Sequence, residues 1–273
     1  MKLINQSAEI WEQPEGEIGI YKQIERAARL CYKSEDKTTE DSYQTFMDML
    51  NIKKHQSPLE HGTVYLTLKD SDETDKIIKG YQSNSYSKVT ALGSDWFVTT
   101  NFRVIKEHGW EDDFKYLCEP TIFHEKRISV HITTNRAISH ELVRHRVFSF
   151  CQESQRYCNY SKGKFGNEVT FIIPSWVNTH CPNEEQKGPS TPDITWSDAC
   201  KEAETFYVSL LQDGWKPQQA REVLPNSTKT ELVMTGFESQ WEEFFKLRCS
   251  PAAHPMMQEL ANQIKELISN ARH

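Results

Sequence analysis

Strands and helices mixed without a regular β-α-β beat predict an α+β fold, held as one domain across residues 1–273. Two observations lead there. Apolar residues recur at helical spacing in some segments and alternate with polar residues in others. No repeat or low-complexity tract separates the segments.

The elements follow in order. In 17–32, EIGIYKQIERAARLCY, the residues Ile18, Tyr21, Ile24, Ala28 and Cys31 are spaced as on a helix. A second helix is expected over roughly 40–54. In 61–69, Val64, Leu66 and Leu68 alternate with Thr63, Tyr65 and Thr67, the period of a strand. Strands are also expected at 95–105 and 127–134. Asn135 is placed to cap a helix running through RAISHELVRHR. EVTFIIP reads as a strand ended by Pro174, and 177–195, broken by three prolines, as a surface excursion. A long helix is expected at about 196–213, stopping near Gly214. KTELVMTGF fits strand or helix, and the chain beyond is helical with a break at Ser250–Pro251. The polar stretch 70–126 is read as an insertion within the one domain.

Composition limits the function. With a net charge of −7, the chain lacks the basic balance of a generic nucleic-acid binder, yet a few arginines suffice for a phosphate. No apolar run approaches the ~20 residues of a membrane span. No signal-peptide pattern opens the chain, and seven cysteines without C-x-x-C spacing suit a reducing cytosol.

The stretch SHELVRHRVFSFCQESQRY (139–157) concentrates the chemistry. It resembles the zinc motif H-E-x-x-H but is one residue too long. Histidines at i and i+5 of a helix diverge by about 140°, so His140 and His145 do not share a metal. Arg144, His145 and Arg146 read plainly as a solvated helix end. The following Ser149, Gln152, Ser154, Gln155 and Arg156, interleaved with Phe148, Phe150 and Tyr157, suit a flat polar ligand bearing phosphate. HQSPLEH (55–61) is a second polar concentration, equally readable as a helix-to-strand turn. Arg221 alone reads as a surface residue. Arg248 sits at the edge of an apolar helix face, where it must be paired or face a cleft. Cys151 and Cys158 read as buried inert thiols.

RHRVFSFCQES fits R-H-R, seven residues, then Ser, and continues into QRY. Together with HQSPLEH, SHELV, AREVLP and WEEFFKLR followed by AAHP, it resembles the flavin-dependent thymidylate synthases over roughly 17–69 and 127–268. The resemblance implies an α/β domain in a homotetramer whose active sites are shared between subunits. It implies that FAD lies against His55, Ser57, Glu60, Arg144, His145, Arg146 and Gln152. It places Glu141, Arg144, Gln152, Ser154, Gln155, Arg156, Arg221 and Arg248 around dUMP. Methylenetetrahydrofolate and NADPH are the implied co-substrates, and the compartment the cytoplasm. Arg248 holds the position credited with activating the uracil ring, and Ser154 is read as a ligand and polariser rather than a covalent nucleophile. The alternative is a nucleotide- or flavin-binding homologue without turnover. Departures point that way: Phe237, Ser239 and Glu243 stand at late FAD positions where some relatives carry Asn and Arg. Cys151 stands where many members have Asn or Ser, and Gln152 where some have Glu.

Overall fold

The structure is a computed structural model that describes residues 1–53, 55–156, 158–163, 166–178 and 188–271. Two antiparallel sheets organise it. The first has the order β2-β6-β9-β7, from strands Ser7–Trp11, Arg127–Asn135, Lys229–Phe237 and Ser149–Gln152. The second has the order β3-β5-β4, from Thr63–Lys69, Asp95–Asn101 and Lys88–Leu92. A short parallel pair joins β1 (Lys2–Ile4) to β8 (Thr170–Ile172).

Each sheet carries its own core. Alternation in β6 sends Val130 and Ile132 into a cluster with α5 (Arg136–Leu142), α8 (Glu238–Arg248) and α9 (Pro255–Asn270). The opposite face of β6 turns Ser129 toward Thr235 of β9, and Thr235 bonds the buried His61. In β3, Val64, Leu66 and Leu68 are fully buried, as the alternation predicts. They pack on Ile20, Ile24 and Ala28 of α1 (Gly16–Tyr32) and on Phe46 and Leu50 of α2 (Ser42–Lys53). Each fully buried Leu or Ile contributes about 1.5–3 kcal/mol. Gly62 lets the chain pass close to α1, since a Cβ there would meet Ile24 at 2.7 Å. That approach fixes the 3₁₀ turn Ser57–His61 between the two cores.

The stretch 70–126 supplies α3 (Asp72–Ser83), β4, β5 and α4 (Phe102–His108), and β5 pairs β3 directly along seven residues. Three element boundaries differ most from the sequence reading. The strand expected over 95–105 ends at Asn101, whose side chain accepts the Val104 N–H (3.2 Å) and starts α4. The helix expected through Arg146 stops at Leu142. Beyond it the bonds tighten to three-residue turns, from His145 N–H to Leu142 and from Phe148 N–H to His145. The long helix α6 runs Thr191–Gln212, taking in residues read as excursion. Pro192 lies in its first turn, where no intrahelical N–H is required, and Asp193 accepts the Ser190 N–H at 2.7 Å. The remainder of that excursion includes 179–187, outside the described residues. KTELVMTGF is a strand, decided by pairing on both sides with β6 and β7.

Candidate active site

Helix α5 carries two polar clusters. At its C-terminal end Glu141 meets Arg248 of α8, with Nη1 to Oε2 at 2.8 Å. Arg248 Nη2 also donates to the Glu141 carbonyl (3.3 Å), and its Nε donates to His145 Nε2 (2.9 Å). Of the two conditions expected for Arg248, pairing is therefore present, as a salt bridge between α5 and α8. Three of its five N–H donors are used and two remain. Burial, and then the Arg248 charge, hold His145 below the ordinary histidine value, so a neutral ring accepts the Nε–H. Phe244 packs edge-on against that imidazole at 4.9 Å.

The second cluster lies at the start of α5. Gln152, at the end of β7, donates to Ser139 Oγ (3.0 Å) and Thr230 Oγ1 (3.1 Å). Both amide protons are spent, which leaves Oε1 as its acceptor. Arg136 donates to the same Thr230 hydroxyl at 3.3 Å. Its guanidinium has no ion pair among the described residues. Burial lowers its pKa, and the nearby Arg221 lowers it further, while Tyr160 and Glu153 act the other way. Arg221 itself is half-buried, and its Nε lies 3.5 Å from the exposed Glu222. Arg136 without an ion pair and Arg221 with only the long contact to exposed Glu222 leave guanidinium donors for an anion, which makes this a candidate anion site.

Arg136, Ser139 and Thr230 were missed by sequence reasoning. One signal was available for Arg136. It is the first residue of α5, directly after the cap Asn135, which accepts the Ile138 N–H at 2.8 Å. A cation is disfavoured at a helix N-terminus, so another interaction must hold it there.

Ser154 follows β7, and its N–H reaches the Cys31 carbonyl at 3.2 Å, tying this turn to the end of α1. Gln155 is buried with its amide nitrogen unpartnered among the described residues. Arg156 is exposed, and Tyr157 lies outside the described residues.

A third group surrounds a cavity of about 270 Å³ that brings Glu60 and Arg146 together with Arg103, Asn101, Tyr86 and Ser149. Glu60 pairs with Arg103 at 2.6 Å. Arg144 and Arg146 are both exposed, splayed by the turn that ends α5. Exposed His55 bonds Tyr32 through Nδ1 (2.6 Å), and Ser57 is exposed on the first turn of the 3₁₀ segment.

The late candidates are placed elsewhere. Phe237 is buried at the start of α8, Ser239 bonds Glu125, and Glu243 pairs with Lys246. None of the three lines the cavity of Glu60 and Arg146. Cys151 and Cys158 are buried, with thiol pKa values pushed up. For Cys151 the causes are the Cys31 thiol and then burial; for Cys158 burial leads and the value reaches about 12. No helix among the described residues is long and apolar enough to cross a membrane.

Residues 90–271 match the family described as thymidylate synthase complementing protein (Thy1). Curated relatives include flavin-dependent thymidylate synthases. That of Geobacter sulfurreducens is 32% identical over 134 residues, 49% of this chain and 52% of the relative. That of Pyrococcus abyssi is 30% identical over 135 residues, 50% and 51%. That of Mycobacterium avium is 30% identical over 149 residues, 52% and 57%. The chain thus spans about half the length of the curated relatives it matches. Among solved structures, a UMP/dUMP methylase PolB from Streptomyces cacaoi is similar at 18% identity and TM-score 0.47, covering 99% of this chain and 92% of that one.

Proposed function

Since the chain belongs to the thymidylate synthase complementing protein family, we propose that it is a flavin-dependent thymidylate synthase. It converts dUMP to dTMP, taking a methylene from methylenetetrahydrofolate, with NADPH reducing the flavin. The observation that carries this reading is the pair of clusters on α5, with Arg136, Gln152 and Arg221 on one side and Glu141, His145 and Arg248 on the other.

The roles follow from the chemistry available. Arg136 and Arg221 take the nucleotide phosphate through charge-assisted hydrogen bonds. Gln152 offers an acceptor, and the turn Ser154–Arg156 supplies a hydroxyl, an amide and a third guanidinium. C5 of uracil is a poor nucleophile. A fixed cation at the N3/O4 edge stabilises the anion that develops as the ring attacks, and Arg248 has two N–H donors left for it. Glu141 and neutral His145 position that guanidinium before substrate arrives.

The residues fit part of FAD. The cavity of Glu60 and Arg146 has room, at about 270 Å³, for one portion of a dinucleotide. The exposed Arg144 and Arg146 are of the kind that grips a pyrophosphate. His55 and Ser57 are exposed on the segment that leads into Glu60. When bound, FAD supplies the hydride that completes the methyl group. In a homotetramer with shared sites, a second copy holds the rest of so large a ligand. The cysteine pattern supports a cytoplasmic setting.

Phe237, Ser239 and Glu243, engaged elsewhere, favour a second reading: a homologue that binds nucleotide and flavin without turnover. One experiment separates the two. The purified protein is expected to be yellow, to bleach with NADPH and dUMP, and to form dTMP with methylenetetrahydrofolate. A yellow protein that binds dUMP but forms no dTMP selects the second reading. A colourless protein that takes up no FAD overturns both.

A further inference from the structure

Arg127 opens β6 between Thr63 of β3 and Ser149 of β7, and it is partly buried there. Its Nη1 reaches Thr63 Oγ1 and its Nη2 reaches Ser149 Oγ, each at 3.4 Å, the long end of hydrogen bonding. Among the described residues no carboxylate oxygen lies within 4.0 Å of this guanidinium. Arg136 shares this lack of an ion pair, but two other arginines are treated differently. Arg29 is paired with Glu25 at 2.6 Å and Arg248 with Glu141 at 2.8 Å. Burial pushes the Arg127 pKa down to about 10, which still leaves it charged at neutral pH. Among the described residues, two long hydrogen bonds, the Phe237 ring at 5.6 Å and the more distant charge of Glu60 are all that meet this guanidinium, so it has donors left for an anion.

A place for that anion adjoins it. Arg127, Thr63 and Ser129 line a cavity of about 390 Å³, within the range of small-molecule sites. Its walls include Trp11, Tyr65 and Leu117. Glu12, Glu15, Glu119 and Lys126 also line it and are exposed. The cavity shares no lining residue with that of Glu60 and Arg146.

We infer that this cavity binds a small monocarboxylate with a flat apolar body and a cationic far end. The carboxylate meets the Arg127 fork, whose planar donors match it in a bidentate manner. The body lies against the aromatic and aliphatic walls. The three exposed glutamates outnumber Lys126 on the rim, so they accept from an ammonium and disfavour a multiply charged anion such as phosphate. Arg127 touches the cavity of Glu60 and Arg146 through Ser149, but binding of an acid is read without flavin or turnover, so either reading can fail without the other.

The test uses the full chain with three probes: benzoate, 4-(aminomethyl)benzoate and inorganic phosphate, read by titration calorimetry and thermal unfolding. 4-(Aminomethyl)benzoate is expected to bind more tightly than benzoate, and phosphate not to bind. Arg127→Met is expected to weaken both aromatic acids at least tenfold, while the ligand-free Tm stays level or rises because a partly buried charge without an ion pair is gone. Glu12→Lys, an exposed change, is expected to reverse the preference between the two acids, and it decides the matter if Arg127→Met fails to fold. Wild-type protein that binds neither acid at millimolar concentration overturns the inference. So does undiminished binding by Arg127→Met, or an unchanged preference in Glu12→Lys.

Discussion

The two ends of α5 hold arginines in opposite conditions. Arg248 is engaged at three donors by Glu141 and His145, so its position is set without a ligand. Arg136 bonds one hydroxyl and faces the like charge of Arg221. The first arrangement suits a group that must stand in one place when charge develops on a ring. The second is a site left positive until an anion arrives. One short helix thus separates a preorganised element from a binding element, and each should fail differently when altered.

The largest effect is expected at Arg248. Arg248→Ala should lower dTMP formation by about 10²–10³-fold, the cost of removing one donor at a developing anion. Flavin absorbance of the purified variant should be unchanged. A colourless variant would instead make Arg248 structural and remove the contrast with Arg136.

At Arg136 the loss should appear in binding. A hydrogen bond to a charged group is worth about 1.5–3 kcal/mol, so Arg136→Met should raise the dUMP dissociation constant by roughly 10–150-fold. Turnover at saturating dUMP should fall much less, and FAD should remain bound. An unchanged dissociation constant for dUMP, by calorimetry, would place the phosphate elsewhere. Ser154 should matter less than either. No imidazole, carboxylate or amine bonds its Oγ among the described residues; it accepts only the Arg156 N–H at 3.4 Å. As a neutral ligand it contributes about 0.5–1.5 kcal/mol, so Ser154→Ala should bind dUMP no more than about tenfold more weakly and still methylate it. Complete loss of methylation with dUMP binding intact would make it a nucleophile.

Local patterns were legible where local physics decides. The alternation of Val64, Leu66 and Leu68 and the cap at Asn135 both appear as read. The early end of α5 was not legible, because no Gly or Pro follows Leu142 to mark it while the chain is pulled into β7. Asn101 was readable as a cap by the rule applied to Asn135, but the apolar run around it read as strand. Much of the candidate site depends on distant partners. Glu141 and Arg248 are 107 residues apart, and Gln152 finds Thr230 across 78. Spacing says nothing about such pairs. The resemblance named Glu141, Gln152 and Arg248, whereas Arg136 emerged from the fold.

The smallest predicted effect is the most direct check on the Arg248 corner. His145 lies below the ordinary histidine value through burial and, second, through Arg248. Its unfolded-state value is about 6.5, so above that pH neither state is protonated and the contribution to stability is complete. As the pH falls below about 6.5, the unfolded chain takes up the proton first, and stability is lost until the folded-state value is passed. Protonation also removes the lone pair that accepts the Arg248 Nε–H, so the clamp on the guanidinium should loosen on the acid side. In an NMR titration, His145 of the wild-type protein should titrate below 6.5. In Arg248→Met it should titrate higher, since only the burial contribution remains. A wild-type value at or above 6.5, or no rise in the variant, would mean that Arg248 and His145 are not joined in solution, and Arg248 would then be no better fixed than Arg136.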